Sequence, residues 1–198
     1  SLVTLYNSFA ISSKGNEYLA PLLEAIKNAF ITRFDYTSFV TSKTKERTVV
    51  PLLLKEFRNR WYLLSFDISK QQIITYALER IENLVVSEEV GVKPFNFKPE
   101  SFFKHAVGIT SSEEEPVKVV FKADKVSARY INSQPFHISQ KVVKEGKNKT
   151  TFELTIILAE EFIRSVLSYG GGIEIVEPLE LRDEIIIRLE EMVSNYNI

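Results

Sequence analysis

The chain contains no cysteine, which removes disulfide staples, thiolate-ligated zinc and cysteine nucleophiles from consideration and fits a reducing, cytoplasmic setting. Its only methionine is Met192, so Ser1 is expected to open a fragment, with a preceding segment that could hold further function. Histidine is almost as scarce. His105 and His137 are the only two, one in each of two expected domains, and no nucleophile-elbow motif accompanies either. Hydrolytic catalysis needs a nucleophile, a base and an orienting group in reach of one another, so the chain is read as a non-enzyme with no metal site and no cofactor. No apolar run approaches the roughly 20 residues of a membrane span and no signal peptide is present, so no membrane association is expected. Glycine and proline are few, seven each, which argues for an ordered globular chain. A net charge of −1 argues against a general polyanion binder.

What is present is a 198-residue chain, 44% hydrophobic, long enough for one large or two small cores. It is organised around residues 60–81, where two β-rich runs flank the polar turn Ser69-Lys70-Gln71-Gln72 and read as a hairpin. Side chains alternate across a strand. Tyr62, Leu64, Phe66 and Ile68 therefore form the expected core face, and Trp61, Leu63, Ser65 and Asp67 a mixed face on which the single Trp meets a second element or a ligand. Arg60 and Arg80 bracket the hairpin.

Taken in order, residues 1–20 read as an arm or linker and a helix starts at Pro21, with Leu22, Leu23, Ile26, Ala29 and Phe30 at helical spacing. Short strands follow over 30–39 and 47–57, then the hairpin, then Leu84-Val85-Val86. Consecutive alternating strands suggest a small antiparallel barrel, and Pro51 within one of them implies an edge or a bulge. Residues 91–109, with Phe95, Phe97, Phe102 and Phe103, read as an irregular segment wrapping over that barrel. Residues 110–116 have linker composition. The remainder, 117–198, reads as βαββαβα: a strand over 117–123, a helix capped by Asp124, a hairpin across residues 145–148, a helix over 159–169, a strand over 173–176 and a last helix. That order matches a ferredoxin-like α/β sandwich with one added helix, so the fold class is α+β. The last helix carries Leu181, Ile185, Leu189, Met192, Val193 and Tyr196 on one face. Gly170-Gly171-Gly172 lacks a following Gly-Lys-Ser/Thr and ends a helix, which favours a left-handed cap over a phosphate loop.

Charge is unevenly spread. Lys43, Lys45, Arg47, Lys55, Arg58 and Arg60 face only Glu46 and Glu56 in that stretch. Lys141, Lys144, Lys147 and Lys149 give the second hairpin a positive edge, read as protection against edge pairing or as phosphate contact. The constellation of interest is Tyr36, Ser38, Arg47, Trp61, Tyr62 and Arg80. Guanidinium forks suit phosphate or carboxylate and aromatic faces stack on bases, so these residues form a candidate nucleotide site. The alternative is that Arg47 and Arg80 pair with Glu46, Glu79 or Glu82 while the aromatics serve as core.

Arg60-Trp61-Tyr62-Leu63 followed by Tyr76-Ala77-Leu78-Glu79-Arg80-Ile81 resembles the signature of WYL domains, sensor modules of bacterial transcription regulators. The likeness extends to Arg47-Thr48-Val49-Val50-Pro51, and through His137-Ile138-Ser139-Gln140, Tyr169-Gly170 and Pro178-Leu179-Glu180-Leu181-Arg182 it is similar to the extension that follows such domains. The resemblance implies an Sm-like or SH3-like barrel (21–109), a ferredoxin-like extension (117–198), a DNA-binding N-terminal helix-turn-helix domain absent from these residues, and a homodimer. It also implies a polar pocket for nucleic acid or a nucleotide-like effector, to which Tyr36, Ser38, Arg47 and Arg80 correspond. Two positions depart from the family pattern: Phe57 stands where a His is usual and Ile74 where an Arg is usual. The resulting expectation is an effector-sensing and dimerisation module of a transcription regulator. The alternative is a structural interaction module with no small ligand.

Overall fold

The computed structural model describes residues 14–94, 97–111 and 114–196. Residues 1–13 of the expected arm, Phe95 and the linker residues Ser112 and Glu113 lie outside the described residues, while the rest of that arm includes a 3-10 turn (Asn16–Tyr18) and the start of a helix at Leu19. The chain divides into two compact units, Ser1–Pro99 and Glu100–Ile198. Each is a mixed α and β structure built on one antiparallel sheet.

In the first unit, helix α1 (Leu19–Asn28) is followed by β1 (Phe30–Thr37), β2 (Thr44–Phe57), β3 (Arg60–Asp67), β4 (Gln72–Ala77) and β5 (Ile81–Val90). Helix α1 starts two residues before Pro21, and Ala29 ends it in the left-handed region (φ 56°). Leu22 and Ala25 are fully buried, whereas Leu23, expected on the same face, is exposed. The sheet runs β4-β3-β2-β1-β5, five antiparallel strands as the strand pattern suggests, without a pairing of β4 with β5 that would close it. The β2–β3 turn has only Arg58 and Asn59 between the strands, both at positive φ (51° and 61°). This is the geometry whose twist matches the flanking strands. Pro51 sits at a register shift between β2 and β3, so the bulge reading holds; it also lies beyond the last β1–β2 pair, Thr32 with Val49, where no ladder donor is required.

The structure buries both faces of β3, not only the face expected to be core. Leu63 and Trp61 pack into the cluster of Leu22, Phe34, Val49, Tyr76, Leu78 and Ile81. Ser65 and Asp67, on that same face, are fully buried. Tyr62 and Leu64 on the opposite face are buried too. Polar residues inside a covered face gave that face the appearance of a mixed one.

Ahead of α1, Gly15 has φ 93°, and a Cβ there would stand 2.5 Å from the Leu78 carbonyl carbon. Only glycine satisfies both conditions. Gly15→Ala is therefore expected to destabilise the first unit by at least ~1 kcal/mol from the backbone conformation alone, as read from the midpoint of urea unfolding. A neutral result would show that this segment is not seated on Leu78.

The second unit contains a short helix α2 (Pro99–Phe102), then β6 (Val117–Asp124), α3 (Lys125–Ser133), β7 (Lys141–Glu145), β8 (Lys149–Ile156), α4 (Glu160–Leu167), β9 (Ile173–Glu177) and α5 (Leu179–Ser194). Its sheet runs β7-β8-β6-β9. Val119, Phe121 and Ala123 of β6 are fully buried on one face, as the alternation predicts. They join Phe152, Leu154, Ile156 and Phe162 in the core. Asp124 caps α3, its Oδ1 accepting the Ser127 N–H at 2.7 Å. Gly170 is left-handed (φ 54°) just past α4, as the cap reading requires. Gly172 has a second role: a Cβ there would lie 2.3 Å from Ser127 Oγ, so its lack of a side chain lets the loop approach the start of α3.

Two expectations for this half are corrected. Residues 100–109 belong to the second unit rather than wrapping the first: Val107 is in the second core, and the Ile157 N–H donates to the His105 carbonyl at 2.8 Å. The apolar face expected along the whole of α5 is buried only at its beginning, at Leu181 and in part at Ile185; Leu189, Met192, Val193 and Tyr196 are exposed. Arg188 fixes the helix against α4 by reaching Glu160 at 2.8 Å while bonding Glu184 within α5 at 2.7 Å.

Candidate functional site

The six candidate residues do not converge on one hollow. Arg47 of β2 points inward on the face it shares with Phe34, its partner across the ladder. Its Nη1 lies 3.7 Å from Oδ2 of Asp67, a carboxylate with no exposure at all. Asp67 is a hub. It accepts the Tyr76 hydroxyl on Oδ2 at 2.6 Å, and on Oδ1 the Ser69 N–H at 3.0 Å, the Ser69 hydroxyl at 2.7 Å and the Lys70 N–H at 3.0 Å. Burial pushes this carboxyl upward, but the hydrogen bonds of Tyr76, Ser69 and Lys70 with the Arg47 charge outweigh it, and the pKa stays below the ordinary aspartate value. Burial, then the bond to Asp67, raises the Tyr76 hydroxyl well above the usual tyrosine range, so it remains a donor. Tyr36 stands edge-on to Tyr76 at 4.9 Å and its hydroxyl accepts the Ala77 N–H at 3.4 Å. Arg47, Tyr36, Tyr76 and Asp67 are thus one internal polar and aromatic cluster. Sequence reasoning named the first two and missed Asp67, although its place after Leu63 and Ser65 on one face of β3 was there to be seen.

Ser38 closes the β1–β2 turn, its Oγ accepting the Thr41 N–H at 3.3 Å. Tyr62 is buried on the far face of β3. Arg80 lies with its guanidinium 4.0 Å over the Phe39 ring and its Nε 3.9 Å from Glu79. Arg80 thus pairs with Glu79, one of the partners the alternative named, whereas Arg47 faces Asp67, which it did not name. Of the two departures from the family pattern, Phe57 ends β2 beneath the Arg58 guanidinium at 5.4 Å, and Ile74 packs against the first core.

Of the six, only Trp61 borders a hollow of about 380 Å³ in the first unit. Its rings are Trp61 and Phe39, its floor is Leu78, its cations are Lys14 and Arg60, its carboxylates are Glu56 and Glu79, and Asn16 and Asn59 complete it. Phe39 belongs to the turn before β2, Glu56 to the end of β2 and Asn59 to the turn that follows it. A straight strand of that length would keep them about 40 Å apart. β2 carries a bulge at Pro51, a feature that bends a strand, and the hollow is bordered both by Glu56 near the end of β2 and by Phe39 in the turn before it. Arg60 Nη1 is 3.4 Å from Glu79 Oε1, Lys14 Nζ is 2.9 Å from Glu82, and the Asn59 N–H donates to Glu56 Oε1 at 2.6 Å. The lining is thus balanced in charge, two cations to two carboxylates. Lys14, Asn16, Phe39, Glu56, Asn59 and Glu79 were not singled out as site residues; only folding of the turns brings them beside Trp61.

With that geometry in view, family comparison is decisive: the WYL domain model matches residues 17–86 and the WCX domain model residues 113–193. The chain carries a WYL domain followed by a WCX domain. The hollow and the Asp67 cluster both lie in the WYL part, apart from Lys14 and Asn16 just before it. Among solved structures, the chain is similar to proteasome accessory factor B/C (PafBC) of Arthrobacter aurescens, at 17% identity and a TM-score of 0.40, over 90% of this chain and 27% of that one. It is also similar to a CRISPR Cas-related protein, at 14% identity and a TM-score of 0.54, over 93% of this chain and 51% of that one. The chain therefore spans about a quarter and about half of those two. Among curated proteins none matches it.

In the second unit, His105 and His137, expected in different domains, stack with ring centres 6.3 Å apart. His137 Nε2 donates to the Lys104 carbonyl at 2.9 Å, and burial, with the neighbouring His105, lowers its pKa. Among the described residues no group of three or more His, Cys, Asp or Glu is placed to hold a metal ion, and no helix is long and apolar enough to cross a membrane.

Proposed function

We propose that the chain is the effector-sensing part of a transcription regulator, acting without catalysis in the cytoplasm as a homodimer, with DNA contacted through a domain outside these residues. The finer fold assignment belongs to the same proposal. An Sm-like or SH3-like barrel is supported by the curled β2 and by the tight 3-10 turn Leu78–Arg80 that joins β4 to β5. A ferredoxin-like extension is supported by the β7-β8-β6-β9 order.

The observation that carries the functional reading is the hollow of about 380 Å³ with two rings and two cations in its wall. This size lies within the usual range for small-ligand sites, and the combination of aromatic faces with Lys and Arg suits a nucleotide or a single-stranded nucleic acid. Trp61 supplies the stacking face, Arg60 and Lys14 meet phosphate, and Arg80 backs Phe39. Arg47, Tyr36 and Tyr76 shape the interior through Asp67. Effector binding shifts the regulator between states by favouring one of two arrangements.

Arg60 is half-exposed and its pair with Glu79 is at the surface, so Arg60→Ala should leave folding stability within about 0.5 kcal/mol of the parent. The same change should weaken binding of a short single-stranded oligonucleotide and lower the slope of log affinity against log salt by about one unit. Calorimetric titration at several salt concentrations checks this. Unchanged affinity and slope would remove Arg60 from the site.

A second reading, a structural interaction module, is favoured by the uncovered stripe Ile186, Leu189 and Val193 on α5. Sedimentation of the parent against Leu189→Glu separates the two. A stable dimer that dissociates in the variant and is indifferent to every nucleotide supports the module reading.

A further inference from the structure

A hollow made for phosphate alone would have no use for carboxylates, which repel an anion and weaken its binding. Here Glu56 and Glu79 line the same wall as Lys14 and Arg60. Their positions are fixed by the fold. Glu56 lies directly across the ladder from Trp61, so both side chains leave the sheet on one face, with Cβ atoms about 5 Å apart. A flat ring laid on the indole has its edge beside the Glu56 carboxylate. Glu79 is set by the 3-10 turn that also carries Leu78, the floor. Both carboxylates are engaged through Oε1, Glu56 by the Asn59 N–H and Glu79 by the Arg60 and Arg80 guanidinium groups. Among the described residues each Oε2 has no hydrogen-bond partner.

An ionised carboxylate only accepts hydrogen bonds. The group that complements it is N–H, and a carbonyl edge placed there is repelled. Acidic side chains read the amino group of a base in the same way at nucleic-acid grooves. We infer that the hollow beside Trp61 takes a heterocyclic base bearing an exocyclic amino group, presented to Glu56 and Glu79 while its phosphate meets Lys14 and Arg60. This rests on the nucleotide-type reading above and adds to it a base preference. The charge balance of the wall then has a reason: the cations hold the phosphate and the carboxylates select the ring.

The test compares two single-stranded oligomers of equal length and charge. One is made of deoxyadenosine and the other of the unsubstituted purine deoxynucleoside, which keeps the ring but lacks the amino group. Calorimetric titration of the unaltered chain should give at least about tenfold tighter binding of the deoxyadenosine oligomer, the scale of one hydrogen bond to a charged group. In the double variant Glu56→Gln, Glu79→Gln the preference should fall below about threefold while phosphate-driven binding persists. Equal affinity of the two oligomers for the unaltered chain overturns the inference and leaves the nucleotide reading standing. Binding of neither overturns both. The first comparison needs no substitution, so a variant that failed to fold would not shield the inference.

Discussion

Asp67→Ala is expected to cost the WYL part about 3–5 kcal/mol, the scale on which removal of one partner from a buried ion pair destabilises a fold. The carboxylate has no exposure. Its loss would strand the Arg47 guanidinium, whose Nε is already buried without a hydrogen bond. It would also deprive the Tyr76 hydroxyl of the acceptor at 2.6 Å and release the Ser69 and Lys70 N–H groups of the β3–β4 turn. The pH dependence follows from the lowered pKa of Asp67. The unfolded chain takes up a proton near the ordinary aspartate value of about 3.9, the folded one only at lower pH. The stabilisation is therefore complete above that value and is lost as pH falls through the folded pKa. Asp67→Asn, which keeps the shape and discards the charge, should remove this acid sensitivity. Urea unfolding of the three proteins between neutral and acid pH measures both effects. Parent-like stability of the alanine variant would show that Arg47 is not held by Asp67.

Phe121→Ala should have a comparable effect in the other unit, about 3–5 kcal/mol. Phe121 is fully buried at the centre of the WCX core, stacked on Phe152 with ring centres 5.1 Å apart and met edge-on by Phe136 at 5.7 Å. Strand β6 is hydrogen-bonded on both sides, to β8 and to β9. The ring cannot be replaced by a small backbone shift, and a cavity should remain. Hydrogen exchange of the β6 and β8 amides reports the loss where it occurs. Retention of their protection would mean that the site collapses and that the core is looser than its packing implies.

These two sites also show which features the sequence made legible. The β6 alternation placed Val119, Phe121 and Ala123 inward because one face of that strand is uniformly apolar. Pro51 was readable as a bulge because proline cannot serve a ladder. On β3 the burial of Tyr62 and Leu64 was legible but that of the opposite face was not: it carries Ser65 and Asp67, and a period of two cannot tell a satisfied buried carboxylate from a solvated one. Nor could spacing place Arg47, since its partner lies twenty residues further along the chain. The hollow was invisible at this level. It assembles from two hairpin turns, a 3-10 turn and the segment before α1, and only the curl of β2 brings Phe39 to Glu56. Of the residues that line it, Trp61 alone was singled out as a site residue, because a lone large ring next to arginines is conspicuous. The last helix was legible but not its exposure, because helical periodicity marks an apolar stripe without saying what covers it.

Because Trp61 is the only tryptophan in the chain, its fluorescence observes the proposed hollow and nothing else. Titrating the protein with a short deoxyadenosine oligomer at low salt should quench and shift that emission to saturation, and added salt should reverse it. Arg60→Ala should move the titration to higher oligomer concentration. Binding detected by calorimetry while the Trp61 emission stays constant would contradict the account, because the effector would then be docking somewhere other than beside this ring.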